Sequence, residues 1–333
     1  MSLTKEEAIK YFKKLTPLIG LIILFYIITI TGINKIINTF LQLSPLFVGI
    51  AILLTIPRIL IRNYVWQLIL KKQKIHISFI DSLKIFLIGY FYASVTPGYL
   101  GQLMRIPYLK EKTNEPTGKL FVNTFVETAL HTLSMYIMMI LGAFIISNEY
   151  PEAIRYGLIF LIAILLIYGF FIKKERGEKF FNIIIKLFIP KKLKHYCKKF
   201  VNTFYHDFPS VKDLILPFII GSVTWIIMYT QIYIIALSLN IKIPYLTFLL
   251  LYPIANIIAF IPITSAGLGT REATVMILFS FFGVPAEKSI VISLAGHIIT
   301  DVLTGFYGFV ISIIEARNNK KEIKKLNTLL ENM

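Results

Sequence analysis

Apolar residues run along this chain in blocks long enough to cross a bilayer, and polar residues gather between them. A spanning helix needs about 20 consecutive, mostly apolar residues. Such blocks lie at Leu15–Ile37, Pro45–Leu70, Leu120–Ser147, Tyr156–Ile172, Leu214–Leu239 and Ile290–Ile314, and each predicts a spanning helix. Two further apolar segments, Ile77–Tyr108 and Tyr245–Gly283, are interrupted. The first carries Pro97, Gly98 and Gly101 ahead of Arg105; the second carries Gly267 and Gly269 ahead of Arg271 and Glu272. Pro and Gly end helices, so each interrupted segment predicts a helix, a turn and a second, shorter helix. The whole pattern predicts an all-α, polytopic integral membrane helix bundle with two re-entrant helical hairpins.

Composition agrees: of 333 residues, 56% are hydrophobic and only 16% charged, too apolar for a soluble globular protein. The N-terminal segment lacks a small-residue cleavage site after a short apolar region, so the first span is expected to stay as an anchor. A net charge of +17 would suggest nucleic acid in a soluble domain. Here the basic residues sit in connections instead, at Lys5–Lys14, Lys71–Lys74, Lys173–Lys212 and the C-terminal RNNKKEIKKL. That distribution predicts a multi-pass cell-membrane protein with both termini cytoplasmic, and no nucleic-acid partner. The connections near Leu41–Ser44, Ser147–Glu152 and Ser238–Pro244, which hold only Lys242, are then external. The basic loop 173–212 interleaves Phe, Ile and Leu with lysine, as in a helix lying on an anionic leaflet or in a solvated connection.

The flanks of the first interrupted segment both read as cytoplasmic, and those of the second as external. The chain therefore divides into residues 1–150 and an inverted counterpart 151–317, each reading span, span, hairpin, span, with a cytoplasmic tail at 318–333. This is the inverted-repeat plan of secondary transporters. One cysteine, Cys197, excludes an internal disulfide, and the five histidines lack ligand spacing, so no metal is expected. No phosphate-binding G-x-x-x-x-G-K-[ST] occurs, and no cofactor is expected.

Non-helical backbone at membrane depth is tolerated only beside protein or a water-filled cavity, so the hairpins predict an internal polar cavity. The second arms, expected to start near Gln102 and Thr270, would aim free N–H groups and positive dipole ends into it. Arg105 and Arg271 add charge there, and the combination favours an anion. Gly98, Gly101, Gly267 and Gly269 are expected to serve tight turns or close approach of the ligand. Arg58, Arg62, Glu127, His131, Glu272, His297 and Asp301 also fall at membrane depth, where a charge costs about 2.5–3.5 kcal/mol on insertion scales. Internal pairing, such as Arg58 with Glu127 or Arg271 with Asp301, would lower that cost.

These motifs resemble the lysylphosphatidylglycerol synthase transmembrane, or flippase-like, family of UPF0104-type membrane proteins over nearly the whole chain. Arg62 and Trp66 match an R-x-x-x-W; Pro97, Gly98, Gly101 and Arg105 match a P-G-x-x-G-E-x-x-R hairpin. Pro262, Gly267, Gly269, Arg271 and Glu272, with Thr300 and Asp301, match a second hairpin motif and a later T-D. Gln102 stands where the family has an acid, Thr128 and His131 where it has Arg and Asp, and Ala266 where it has Gly. The resemblance implies a flippase moving an anionic or aminoacylated phospholipid, or a polyprenyl-phosphate-linked glycolipid, between leaflets. Arg62, Arg105, Arg271 and the four hairpin glycines would bind substrate, with Glu127, Glu272 and Asp301 supporting them or exchanging protons. The soluble aminoacyltransferase domain of some relatives is absent, so enzymatic activity is not expected. The same residues also suit a membrane-embedded transferase acting on a lipid phosphate, or a non-transporting partner of glycolipid-pathway enzymes. Homo-oligomerisation is compatible with either.

Overall fold

The computed structural model describes residues 20–147, 211–260 and 267–331, Thr264, and within 152–210 chiefly 174–188 and 206–210. Every element among them is helical. The helices are α1 (Gly20–Thr31), α2 (Ile33–Leu41), α3 (Pro45–Leu53), α4 (Thr55–Lys72) and α5 (Phe79–Ser94). A 3₁₀ helix (Pro97–Met104) leads into α6 (Arg105–Thr113), followed by α7 (Thr117–Ile145) and α8 (Lys174–Phe188). Then come α9 (Val211–Ser238), α10 (Tyr245–Phe260), α11 (Thr270–Ser280), α12 (Ala286–His297), a π turn (Ile298–Val302) and α13 (Leu303–Glu331).

Four described helical stretches are long and apolar enough to cross a membrane: Pro45–Lys72, Thr117–Ile145, Val211–Ser238 and Ala286–Arg317. Their outward side chains include Leu46, Ile219 and Phe306, each more than half exposed, a surface suited to lipid. The expected single span Leu15–Ile37 is not continuous, because α1 and α2 meet at an 86° bend. Its cause is Gly32, whose φ of +93° is open to glycine and closed to a neighbouring helical residue. Most of the expected span Tyr156–Ile172, together with Cys197, Pro262 and Ala266, lies outside the described residues.

Local sequence sets the helix starts. Ser78 and Ser210 each accept a hydrogen bond from the N–H three residues on, at Asp81 and Asp213, and each donates to that same aspartate's carboxylate. These reciprocal caps begin α5 and α9. In the first interrupted segment α5 packs against the 3₁₀ helix and α6, and in the second α10 packs against α11.

Each hairpin packs along a long helix remote in sequence, α5 along α13 and α10 along α7. A glycine sits at each crossing. A Cβ at Gly308 would collide with the Leu87 carbonyl, and one at Gly142 with the Leu250 carbonyl, so the backbones approach as small-residue membrane interfaces allow. Helices α4 and α9 pack against each other.

Candidate functional site

The buried ionisable residues converge from α4, α5, α6, α7, α11, α12 and the π turn into two clusters. Glu127 of α7 is the centre of the first. Arg62 reaches its Oε1 through Nε at 3.0 Å and Nη2 at 2.8 Å, while Arg105 Nη1 reaches Oε2 at 2.9 Å. One buried carboxylate thus holds two guanidinium groups, Arg62 through two donors on a single oxygen and Arg105 through one donor on the other. Glu127 pairs with Arg62 and Arg105, not with Arg58.

Arg105 is fully buried, and its Nε and Nη2 have no hydrogen-bond acceptor. Aromatic faces stand in for acceptors, with its guanidinium carbon 4.6 Å from the Phe86 ring centre and 5.2 Å from that of Trp66, within the range of cation–π attraction. Gly89 makes the room, since a Cβ there would strike the Arg105 stem. Trp66 is itself anchored by donating from Nε1 to Asn123 Oδ1 at 2.6 Å.

The second cluster is built on Glu272. Its Oε2 accepts the N–H of Gly269 at 2.6 Å, and its Oε1 accepts from Ser293 at 2.8 Å and from Arg271 Nη2 at 3.1 Å. Glu272 therefore caps one N–H, that of Gly269, at the start of α11 from within the protein. The first hairpin differs from expectation. Its α-helix starts at Arg105, three residues beyond Gln102, because the Pro-Gly run winds first into a 3₁₀ helix whose carbonyls already engage the Arg105 N–H. The first half-helix thus continues a 3₁₀ helix, and at the second Glu272 takes the Gly269 N–H.

Arg271 reaches Asp301 only through His297. Its Nη1 lies 3.0 Å from His297 Nδ1, and the same ring nitrogen lies 3.0 Å from Asp301 Oδ2. A single ring nitrogen cannot accept from the arginine and donate to the aspartate at once, so one proton decides which contact is made. Asp301 also accepts from Tyr90 at 2.5 Å and from Thr300 Oγ1 at 3.1 Å.

The glycines divide by mechanism. Gly267 (φ +72°) and Gly269 (φ +85°) occupy left-handed backbone, and a Cβ on either would also strike Ala259 or the Gly20 carbonyl. In the first hairpin the left-handed residue is Tyr99, at φ 56°. Gly101 serves close approach instead, as a Cβ there would collide with the Tyr92 carbonyl. Gly98 lies in the 3₁₀ helix beside it.

Between the clusters is a cavity of about 40 Å³, room for ordered water but tight for a lipid headgroup. Arg58, Arg62, Tyr90, His131, Asn256 and Asp301 are on its wall. Arg105, Glu127, Arg271 and Glu272 stand behind that wall. Arg58, Tyr90, His131 and Asn256 are wall residues outside the expected ligand set. For Arg58 a signal existed, because it lies one helical turn from Arg62 on the same face of α4. A second, smaller recess among α4, α7 and α9 is bordered by Arg62, Glu127, His131, Pro217, Phe218 and Gly221. Arg62 and His131 border both spaces. No group of histidine, cysteine or carboxylate side chains among the described residues suits a metal ion.

Comparison with known proteins gives the family. The model for the lysylphosphatidylglycerol synthase TM region matches residues 15–308. A UPF0104 membrane protein of Methanocaldococcus jannaschii is 22% identical over 92% of this chain and 95% of its own length. Another, of Pyrococcus horikoshii, is 23% identical over 84% of this chain and 90% of its own. A second protein from M. jannaschii is 26% identical over 70% of this chain and 98% of its own. With its motifs, its helical membrane architecture and this match over most of its length, the chain belongs to the lysylphosphatidylglycerol synthase transmembrane family.

Proposed function

We propose that this protein is a transporter that moves a lipid with an anionic phosphate headgroup, an anionic or aminoacylated phospholipid or a polyprenyl-phosphate-linked glycolipid, between leaflets. The observation that carries this reading is the charged cavity lined by Arg58, Arg62 and Asp301 inside an apolar-surfaced helix bundle. Ionisable groups inside a membrane bundle are costly and mark substrate pathways. The recess beside Pro217 and Gly221 shares Arg62 and His131 with the cavity, and in this reading it would widen into the lateral route by which a headgroup enters while its acyl chains stay in lipid. The tight cavity then corresponds to a closed state that widens during transport.

In this reading the chain consists of two inverted halves whose hairpins re-enter from opposite faces, with both termini cytoplasmic. The reciprocal packing of α5 on α13 and α10 on α7, each with a glycine at the crossing, supports that plan. Rocking of one half against the other would expose the cavity alternately. Labelled phospholipid or polyprenyl phosphate in proteoliposomes tests the proposal. Exchange between leaflets with the lipid chemically unchanged by mass spectrometry supports transport, and a new product would point to a transferase.

A further inference from the structure

Arg58 is the buried cation that the ion-pair network leaves over. It is only 7% exposed, and its Nη2 donates to neutral groups, the Thr300 carbonyl at 2.6 Å and Thr304 Oγ1 at 2.9 Å. Its Nε is buried without a partner. Among the described residues the two clusters and Arg58 together hold four arginines, Arg58, Arg62, Arg105 and Arg271, and three carboxylates, Glu127, Glu272 and Asp301; Glu127 is committed to Arg62 and Arg105 and Glu272 to Arg271, and Arg58 is in no ion pair. A buried guanidinium without an anion is strongly unfavourable, and an anion beside it would remove that penalty.

Asp301, next in the chain to the carbonyl that Arg58 holds, already has Tyr90, Thr300 and His297 around it. One arginine is left over when the carboxylates are taken up, so the cavity suits an anion. A further observation falls at the same place. The carbonyl that Arg58 holds belongs to the π turn Ile298–Val302, a widening of the helix that recurs at functional sites.

We infer that Arg58 is the primary ligand of a phosphate anion in this cavity, with Arg62 beside it and Arg105 and Arg271 acting behind as positioning residues. That the phosphate is a lipid headgroup rests on the transport reading; the recognition chemistry is the same for free phosphate. Arginine suits the role because its planar fork grips two phosphate oxygens, which a lysine ammonium does less selectively.

Binding to the detergent-purified chain tests this, read by tryptophan fluorescence, since Trp225 is on the cavity wall, and by melting temperature. The probes are dihexanoyl phosphatidic acid, dihexanoylglycerol and inorganic phosphate. Wild type should bind the phosphatidic acid and not the uncharged diglyceride. Arg58→Gln should weaken binding by about tenfold or more without lowering the ligand-free melting temperature, and Arg58→Lys should fall between. Should the glutamine variant fail to fold, the lysine variant decides, because unchanged affinity there would overturn the proposal. Unchanged affinity in Arg58→Gln would overturn it too. Binding of inorganic phosphate alone, still dependent on Arg58, keeps the ligand assignment and removes the lipid. Conversely, lipid exchange that proceeds with undiminished binding and rate in Arg58→Gln leaves transport standing and removes Arg58 as its ligand.

Discussion

Tyr90 donates its hydroxyl to Asp301 across 2.5 Å, and that bond joins the first hairpin to the π turn of the last span. Both residues are on the cavity wall. Hydrogen bonds to charged groups contribute about 1.5–3 kcal/mol, so Tyr90→Phe should lower the melting temperature of the purified protein measurably. Asp301→Asn should lower it as well. The double variant should cost less than the two single changes combined; simple additivity would mean that the contact is not formed.

Glu127 supports a second prediction. Removing one partner of a buried ion pair costs about 3–5 kcal/mol because the other charge stays behind, and here two guanidinium groups would be left. Glu127→Gln should therefore give protein that aggregates on size-exclusion chromatography. Glu127→Gln combined with Arg105→Met should recover part of the monodisperse yield. Equal yields for the single variant and wild type would show that Glu127 does not hold the arginines.

A third prediction separates glycines that touch backbone from one that does not. Gly142→Val and Gly308→Val would drive a side chain into the Leu250 and Leu87 carbonyls, forcing the long helices off the hairpins. Both should lose thermal stability. A Cβ at Gly221 meets only Val65 Cγ1 at 3.7 Å, so Gly221→Ala should melt like wild type. Gly221→Trp would fill the recess next to Arg62 and should keep the fold while slowing lipid exchange.

The hairpins were legible because Pro97, Gly98, Gly101, Gly267 and Gly269 punctuate otherwise continuous apolar segments, and an arginine follows each group. The pairings within them were not. Arg58 and Arg62 share one face of α4, and which of them meets Glu127 depends on how far α7 is shifted along α4, which only tertiary packing sets. The bend at Gly32 was hidden too, because a single glycine in an apolar run also fits inside a continuous helix. Gln102 and Thr128, two positions where the sequence departs from its family's charged pattern, prove to be partners, with Thr128 Oγ1 donating to Gln102 Oε1 at 3.1 Å. A neutral hydrogen bond stands where that pattern would have placed an ion pair. Glu272 lies 3.1 Å from the guanidinium of its neighbour Arg271. Its second contact, to the Gly269 N–H, follows the helix-start rule that a glutamate at the third helical position reaches back to the cap.

Arg271 gives a fourth prediction. Its guanidinium meets Glu272, Ser293 and His297 at once, which one ammonium cannot reproduce. Arg271→Lys should therefore lower the melting temperature even without any lipid. Restoration by Arg271→Lys with His297→Gln would show that the histidine contact accounts for the loss, whereas a lysine variant as stable as wild type would assign Arg271 to ligand binding alone.

The central claim is that the cavity passes a lipid phosphate between leaflets, and the most direct measurement is leaflet exchange of fluorescent phosphatidylglycerol and polyprenyl phosphate in vesicles carrying the purified protein. A membrane-impermeant quencher reads how much label becomes accessible. The account predicts that wild type exposes the inner-leaflet label of at least one of these lipids, that Gly221→Trp and Arg58→Gln expose it more slowly at matched protein levels, and that the lipid is recovered unchanged. Inner-leaflet label as fully protected as in protein-free vesicles, for both lipids, would contradict it.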